Sequence, residues 1–91
     1  MKEIYVLIEG CYDDSYTFAV DGFYTSQEAA YKKAYEENIE AIKSLTKGEL
    51  KELYEWYQVF SSEELAARCA QLHFPPYGMY SVRELKEIKD A

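Results

Sequence analysis

Three four-residue stretches, TSQE at 25–28, TKGE at 46–49 and SSEE at 61–64, crowd into 40 positions of this 91-residue chain. Each sets a serine or threonine three positions ahead of a glutamate, which is the pattern of a capping box. The hydroxyl accepts the free amide of the third helical residue, and the glutamate reaches back to the amide of the cap itself. A mainly apolar stripe of residues at helical spacing follows each stretch. They are Tyr31, Ala34, Tyr35, Asn38, Ile42 and Leu45 after the first, Leu50, Leu53, Tyr54 and Tyr57 after the second, and Leu65, Ala66, Cys69 and Leu72 after the third. Trp56 and Phe60 fall off the second stripe. The centre of the chain is therefore read as three consecutive helices, the first running to about Leu45.

Ahead of the helices, KEIYVLIEG at 2–10 and YTFAVDGFY at 16–24 are rich in β-branched and aromatic residues and predict two strands. A three-residue loop of Asp13, Asp14 and Ser15 sets Tyr12 opposite Tyr16 and Ile8 opposite Val20. One face then collects Ile4, Val6, Ile8, Phe18 and Val20, the natural core side. The other carries Glu9, Cys11, Thr17 and Asp21 along with Tyr5, Leu7 and Phe23. A two-residue loop would put Asp21 on the same face as Val6, so the longer loop is preferred.

HFPPYG at 73–78 breaks the third helix and predicts a rigid turn, with a cis X–Pro bond as one form of it. In the tail, YSVRELKEIKDA at 80–91, Ser81 and Glu84 offer a fourth capping box, yet Tyr80 and Val82 alternate as in a strand. A lone hairpin needs a third strand for stability, so a strand over 79–86 beside the hairpin is expected. The fold class is α+β. An N-terminal antiparallel hairpin, three helices and a C-terminal strand completing a small sheet form a single domain over 1–91.

Charge and composition remove several functional classes. At 48% hydrophobic and 30% charged the chain is too apolar for disorder, and its charges interrupt it too evenly for a membrane span. The net charge is −7 and the only arginines are Arg68 and Arg83, which argues against direct contact with nucleic acid. The acid is concentrated early, with five carboxylates against one lysine in residues 1–25. MKEIYVLIEG contains Glu3 and Glu9 and does not read as a signal peptide, and Cys11 and Cys69 lack CxxC spacing. Free thiols in a cytoplasmic protein are expected.

The stretch EGCYDDSY at 9–16 holds most of the residue types able to do chemistry. Calcium would need about six to eight oxygens, usually alternating along a loop, and that spacing is missing. A triad of Cys11, His73 and an aspartate has no motif behind it, and HExxH, GxSxG and phosphate-loop patterns are absent. His73 reads instead as a residue near a helix end, where a cation suits the dipole. No catalytic residue, metal or cofactor is expected. The ten tyrosines are the main anomaly, because they exceed what so small a core can hold and tyrosine suits interfaces. The expected partner-binding residues are Glu9, Tyr12, Asp13, Asp14 and Tyr16, with Glu36, Glu37 and Glu40 as a second acidic ridge.

The order strand, strand, then FYTSQEAA at 23–30 is similar to the opening of many small uncharacterised bacterial and phage proteins, over about residues 4–34. In its acidic character the chain resembles phage inhibitors of host nucleic-acid machinery, anti-CRISPR proteins among them. The resemblance implies a non-catalytic inhibitor that binds the basic surface of a host nucleic-acid-binding protein. Two alternatives stand beside it. One is a small structural or regulatory homodimer pairing through the sheet edge or an outer face of Tyr5, Leu7, Ala19 and Phe23. The other is a small enzyme or metal protein using Cys11, His73 and the aspartates.

Overall fold

A computed structural model gives the fold and describes residues 3–11 and 18–86. Six elements follow one another: β1 (Glu3–Gly10), β2 (Phe18–Tyr24), α1 (Gln27–Lys43), α2 (Lys47–Tyr57), α3 (Ser62–Ala70) and β3 (Tyr80–Lys86). The strands form one antiparallel sheet in the order β2-β1-β3, so the tail does supply the third strand. No helix among the described residues is long and apolar enough to cross a membrane.

The helix starts follow their caps with one displacement. At α2 the box is complete, with Thr46 Oγ1 accepting Glu49 N at 3.2 Å and Glu49 Oε2 accepting Thr46 N at 2.7 Å. At α3, Ser61 accepts Glu64 N, while the Glu64 carboxylate takes the Phe60 amide instead. At α1 the cap is Ser26 rather than Thr25, because Ser26 has the extended backbone and accepts Ala29 N. The TSQE box is thus not the one formed. Helix α2 stops at Gln58, whose left-handed φ of 52° turns its amide back to Tyr54 O.

The hairpin register begins as expected, with Ile8 opposite Val20 and Gly10 opposite Phe18. Between Leu7 and Ile8 it shifts, so that Leu7 faces Gly22 and Val6 faces Phe23. This bulge carries Phe23 over to the Val6 face, away from Tyr5 and Leu7.

The helices then cover the face expected to be the outer one. Tyr5, Leu7 and Val82 pack with Ala30 and Ala34 of α1 and Ala70 of α3, flanked by Tyr24, Tyr31 and Tyr80. The reason is steric: alanines let helices approach closely, and the bulk filling the gap comes from the sheet. Glu9 tolerates this side because its carboxylate accepts the Tyr80 hydroxyl at 2.9 Å. Burial, reinforced by that bond, raises the pKa of the Tyr80 hydroxyl. A second cluster of Ile42, Val59, Leu65, Ala66, Cys69 and Met79 joins the helices to one another and to the segment before β3. Each large side chain buried there contributes about 1.5–3 kcal/mol.

The opposite sheet face is covered at one end only. Residues 73–76 lie against it: Pro75 is buried, and the Phe74 ring stands 6.2 Å from that of Phe18. The Arg83 guanidinium lies over both rings, at 4.8 and 5.1 Å, and donates to His73 O at 2.7 Å. No cis peptide bond occurs among the described residues, so the proline turn is trans. Its exit into β3 uses Gly78 at φ 79°. Beyond this cover Ile4, Val20, Phe23 and Leu85 remain exposed.

Candidate functional site

Helix α2 contributes no fully buried residue and lies at the margin of the helical core. Positions 49, 52, 53, 56 and 57 fall on one stripe of it, three and four residues apart. That stripe forms one wall of a groove of about 510 Å³, and Pro76 with Tyr77 forms the other. Leu45 and Leu53 supply apolar surface, Trp56, Tyr57 and Tyr77 supply rings, and Glu49 and Glu52 supply carboxylates. Among the described residues no lysine or arginine lines it. Trp56 is 73% exposed and Tyr77 62% exposed, so both rings are open to a partner.

The two carboxylates differ in their duties. Glu49 accepts the Thr46 amide, and this bond holds its pKa below the ordinary glutamate value. Glu52 is exposed and takes part in no hydrogen bond or ion pair among the described residues. The turn opposite is fixed by the sheet. Tyr77 bridges to Gly10, Gly78 N donates to Gly10 O at 2.8 Å, and Gly10 N donates to Met79 O at 3.0 Å. The end of β1 that leads into the hairpin loop therefore adjoins the groove wall.

The residues expected to bind a partner have mixed fates. Tyr12, Asp13, Asp14 and Tyr16 lie outside the described residues. Glu9 is half-buried and engaged by Tyr80. The α1 ridge is largely compensated within its own helix, by Lys33–Glu37 at 2.8 Å and Lys43–Glu40 at 3.3 Å, and Glu36 has no ion-pair partner among the described residues. Glu9, Glu36, Glu37 and Glu40 do not line the groove formed by Glu49, Glu52, Trp56 and Tyr77, which the sequence reading did not select. One signal was available, since Trp56 falls off the half-buried stripe of Leu50, Leu53, Tyr54 and Tyr57.

Cys69, on the inner side of α3, is fully buried and its thiol is pushed up to about 12 by burial, so it is neutral at physiological pH. Cys11 is half-buried and donates to the Glu9 carbonyl at 3.6 Å. His73 lies past the end of α3, with its ring edge-on to Phe74 at 4.5 Å. Among the described residues no group of three His, Cys, Asp or Glu side chains is placed to hold a metal ion. No protein-family model matches the chain, and neither curated proteins nor solved structures give a significant match.

Proposed function

We propose that the protein is a non-catalytic interaction module that binds a protein partner through the partner's basic surface. The observation that carries this reading is the α2 groove, where exposed rings adjoin carboxylates and no lysine or arginine among the described residues lines the walls. Rings supply contact area at low entropic cost, and carboxylates supply charge-assisted bonds to lysine and arginine. The net charge of −7 adds attraction at longer range. Both cysteines are free thiols, which fits a role in the reducing cytoplasm. A DNA-binding host protein offers such a basic surface, in keeping with the resemblance to small acidic phage inhibitors. The sequence adds Asp13 and Asp14 as further carboxylates for such a partner.

Binding to an identified partner should weaken at least about tenfold as salt rises from about 0.1 to about 0.5 M, because screening shortens the reach of exposed charges. Charge reversal at Glu52→Lys, or at Asp13 and Asp14 together, should weaken it further. Titration by interferometry checks this, and binding indifferent to salt and to all three reversals would remove the reading.

A second reading rests on a separate observation, the exposed apolar row of Ile4, Val20, Phe23 and Leu85 on the uncovered sheet face. Two copies could pair there, at odds with the Tyr5 and Leu7 face first expected to do so. Sedimentation at micromolar concentration should then give a dimer that Phe23→Lys converts to a monomer. A wild-type monomer at that concentration ends this version.

A further inference from the structure

We infer that the α2 groove is a slot for a single cationic side chain, an arginine or lysine projecting from a basic protein partner. This deepens the proposed function and rests on it. The occupant follows from charge and ring chemistry together. A purely apolar segment would fill the space between Leu45, Leu53 and Pro76, but it would desolvate Glu52, which has no partner among the described residues. An acidic segment would meet two carboxylates. A guanidinium or ammonium instead satisfies Glu52 and lies against the faces of Trp56 and Tyr77, whose ring quadrupoles attract cations.

The same chain already uses this pairing elsewhere, where Arg83 lies over Phe18 and Phe74 within 5.1 Å. The long stem of arginine or lysine would run along the leucines while its charged head reaches the rim. Glu49 contributes charge without leaving its cap, since only one of its carboxylate oxygens accepts the Thr46 amide.

The chain has one tryptophan, so fluorescence reports on the groove directly. The probes are acetyl-Gly-Arg-Gly-amide and its citrulline counterpart, which keeps the shape of the side chain and removes its charge. The arginine peptide should change Trp56 emission saturably at millimolar concentration, and the citrulline peptide should bind about fivefold more weakly or not measurably. Glu52→Gln and Tyr77→Ala should each weaken the arginine peptide about threefold to fivefold, whereas Glu36→Gln should leave it unchanged. Both groove positions are exposed, and circular dichroism of each variant confirms its folding.

Equal binding of the two peptides, or no change at Trp56, overturns the slot. So does loss in Glu36→Gln as large as in Glu52→Gln, which would mean that the net charge alone attracts the peptide. Emission that changes with protein concentration in the absence of peptide would assign the groove to a second copy, again against the slot. Failure of the peptide test alone leaves the broader reading standing, and that reading fails separately if an identified partner binds without dependence on salt and charge.

Discussion

Replacing Asn38 by aspartate is expected to destabilise the protein strongly at pH 7 and to restore part of the lost stability on acidification. Asn38 is fully buried, and its carboxamide makes three bonds. Nδ2 donates to Ala66 O at 3.0 Å and to Tyr80 O at 2.9 Å, while Oδ1 accepts Tyr80 N at 2.6 Å. The side chain thus ties α1 to α3 and stands in for a neighbouring strand at the start of β3. A carboxylate there would face two carbonyl oxygens without a proton to give. Desolvation and that repulsion both disfavour the charged form, so the aspartate's folded pKa lies above its unfolded value of about 3.9. Stability linked to it is fully present below the unfolded pKa and is lost as pH rises through the folded one.

The penalty at pH 7 should be about 4 kcal/mol or more, and Asn38→Ala should lose about 3–5 kcal/mol at any pH near neutral. A domain of this size has roughly 5–13 kcal/mol in total. Urea titrations followed by circular dichroism at pH 7 and about pH 4.5 separate the two variants. An aspartate variant as stable at pH 7 as at pH 4.5 would show that Asn38 is not enclosed as described.

The second large effect is expected at Gly10. A Cβ on this residue would lie 2.5 Å from Pro75 O, closer still to Pro76 O and 2.7 Å from the Pro76 carbonyl carbon. All three are backbone atoms, held by the bonds between Gly10 and residues 78 and 79, so no side chain can swing away. Gly10→Ala should therefore cost about 3 kcal/mol, at the upper end for overpacking, even though alanine favours a strand more than glycine does. Gly48→Ala is the matched control. Nothing lies within 4 Å of its Cβ position in the first turn of α2, and a gain of up to about 0.5 kcal/mol is expected. Because Gly10 holds the Pro76–Tyr77 wall, its substitution should also weaken the groove's response to a cationic peptide. Chemical denaturation of the two variants side by side decides the point.

The elements and their order were legible because local signals agreed with one another: hydroxyl–glutamate pairs at the helix starts, alternation in the strands, and a proline turn before β3. Which sheet face the helices cover was not legible. Ile4, Val6 and Ile8 are more uniformly apolar than Glu3, Tyr5, Leu7 and Glu9, and the alternation rule favours them as core. What reversed the choice is the small size of Ala30, Ala34 and Ala70 on the facing helices and the bond that absorbs Glu9. Val6 and Ile8 are nevertheless buried, at 4% and 1% exposure, on the face crossed by the proline segment. The register shift that sets Leu7 opposite Gly22 was not legible either, because no residue pattern in the strands marks it.

The candidate site was less legible than the fold because it is assembled across the chain. Acids at Glu36, Glu37 and Glu40 look like a ridge in sequence, but Lys33 and Lys43 sit at helical spacing from them and neutralise most of it. Glu49, Glu52 and Trp56 share a helix stripe that a sequence displays, yet Tyr77 reaches them only through the Gly10 junction.

The most direct test of basic-partner recognition through the α2 groove is an amide and indole shift map of the ¹⁵N-labelled protein bound to its captured partner. The largest changes should fall on the Trp56 indole N–H, the Glu52 amide and the Tyr77 amide, and should shrink together as salt is raised. A footprint confined to Ile4, Val20, Phe23 and Leu85, with the Trp56 indole unmoved, would contradict it.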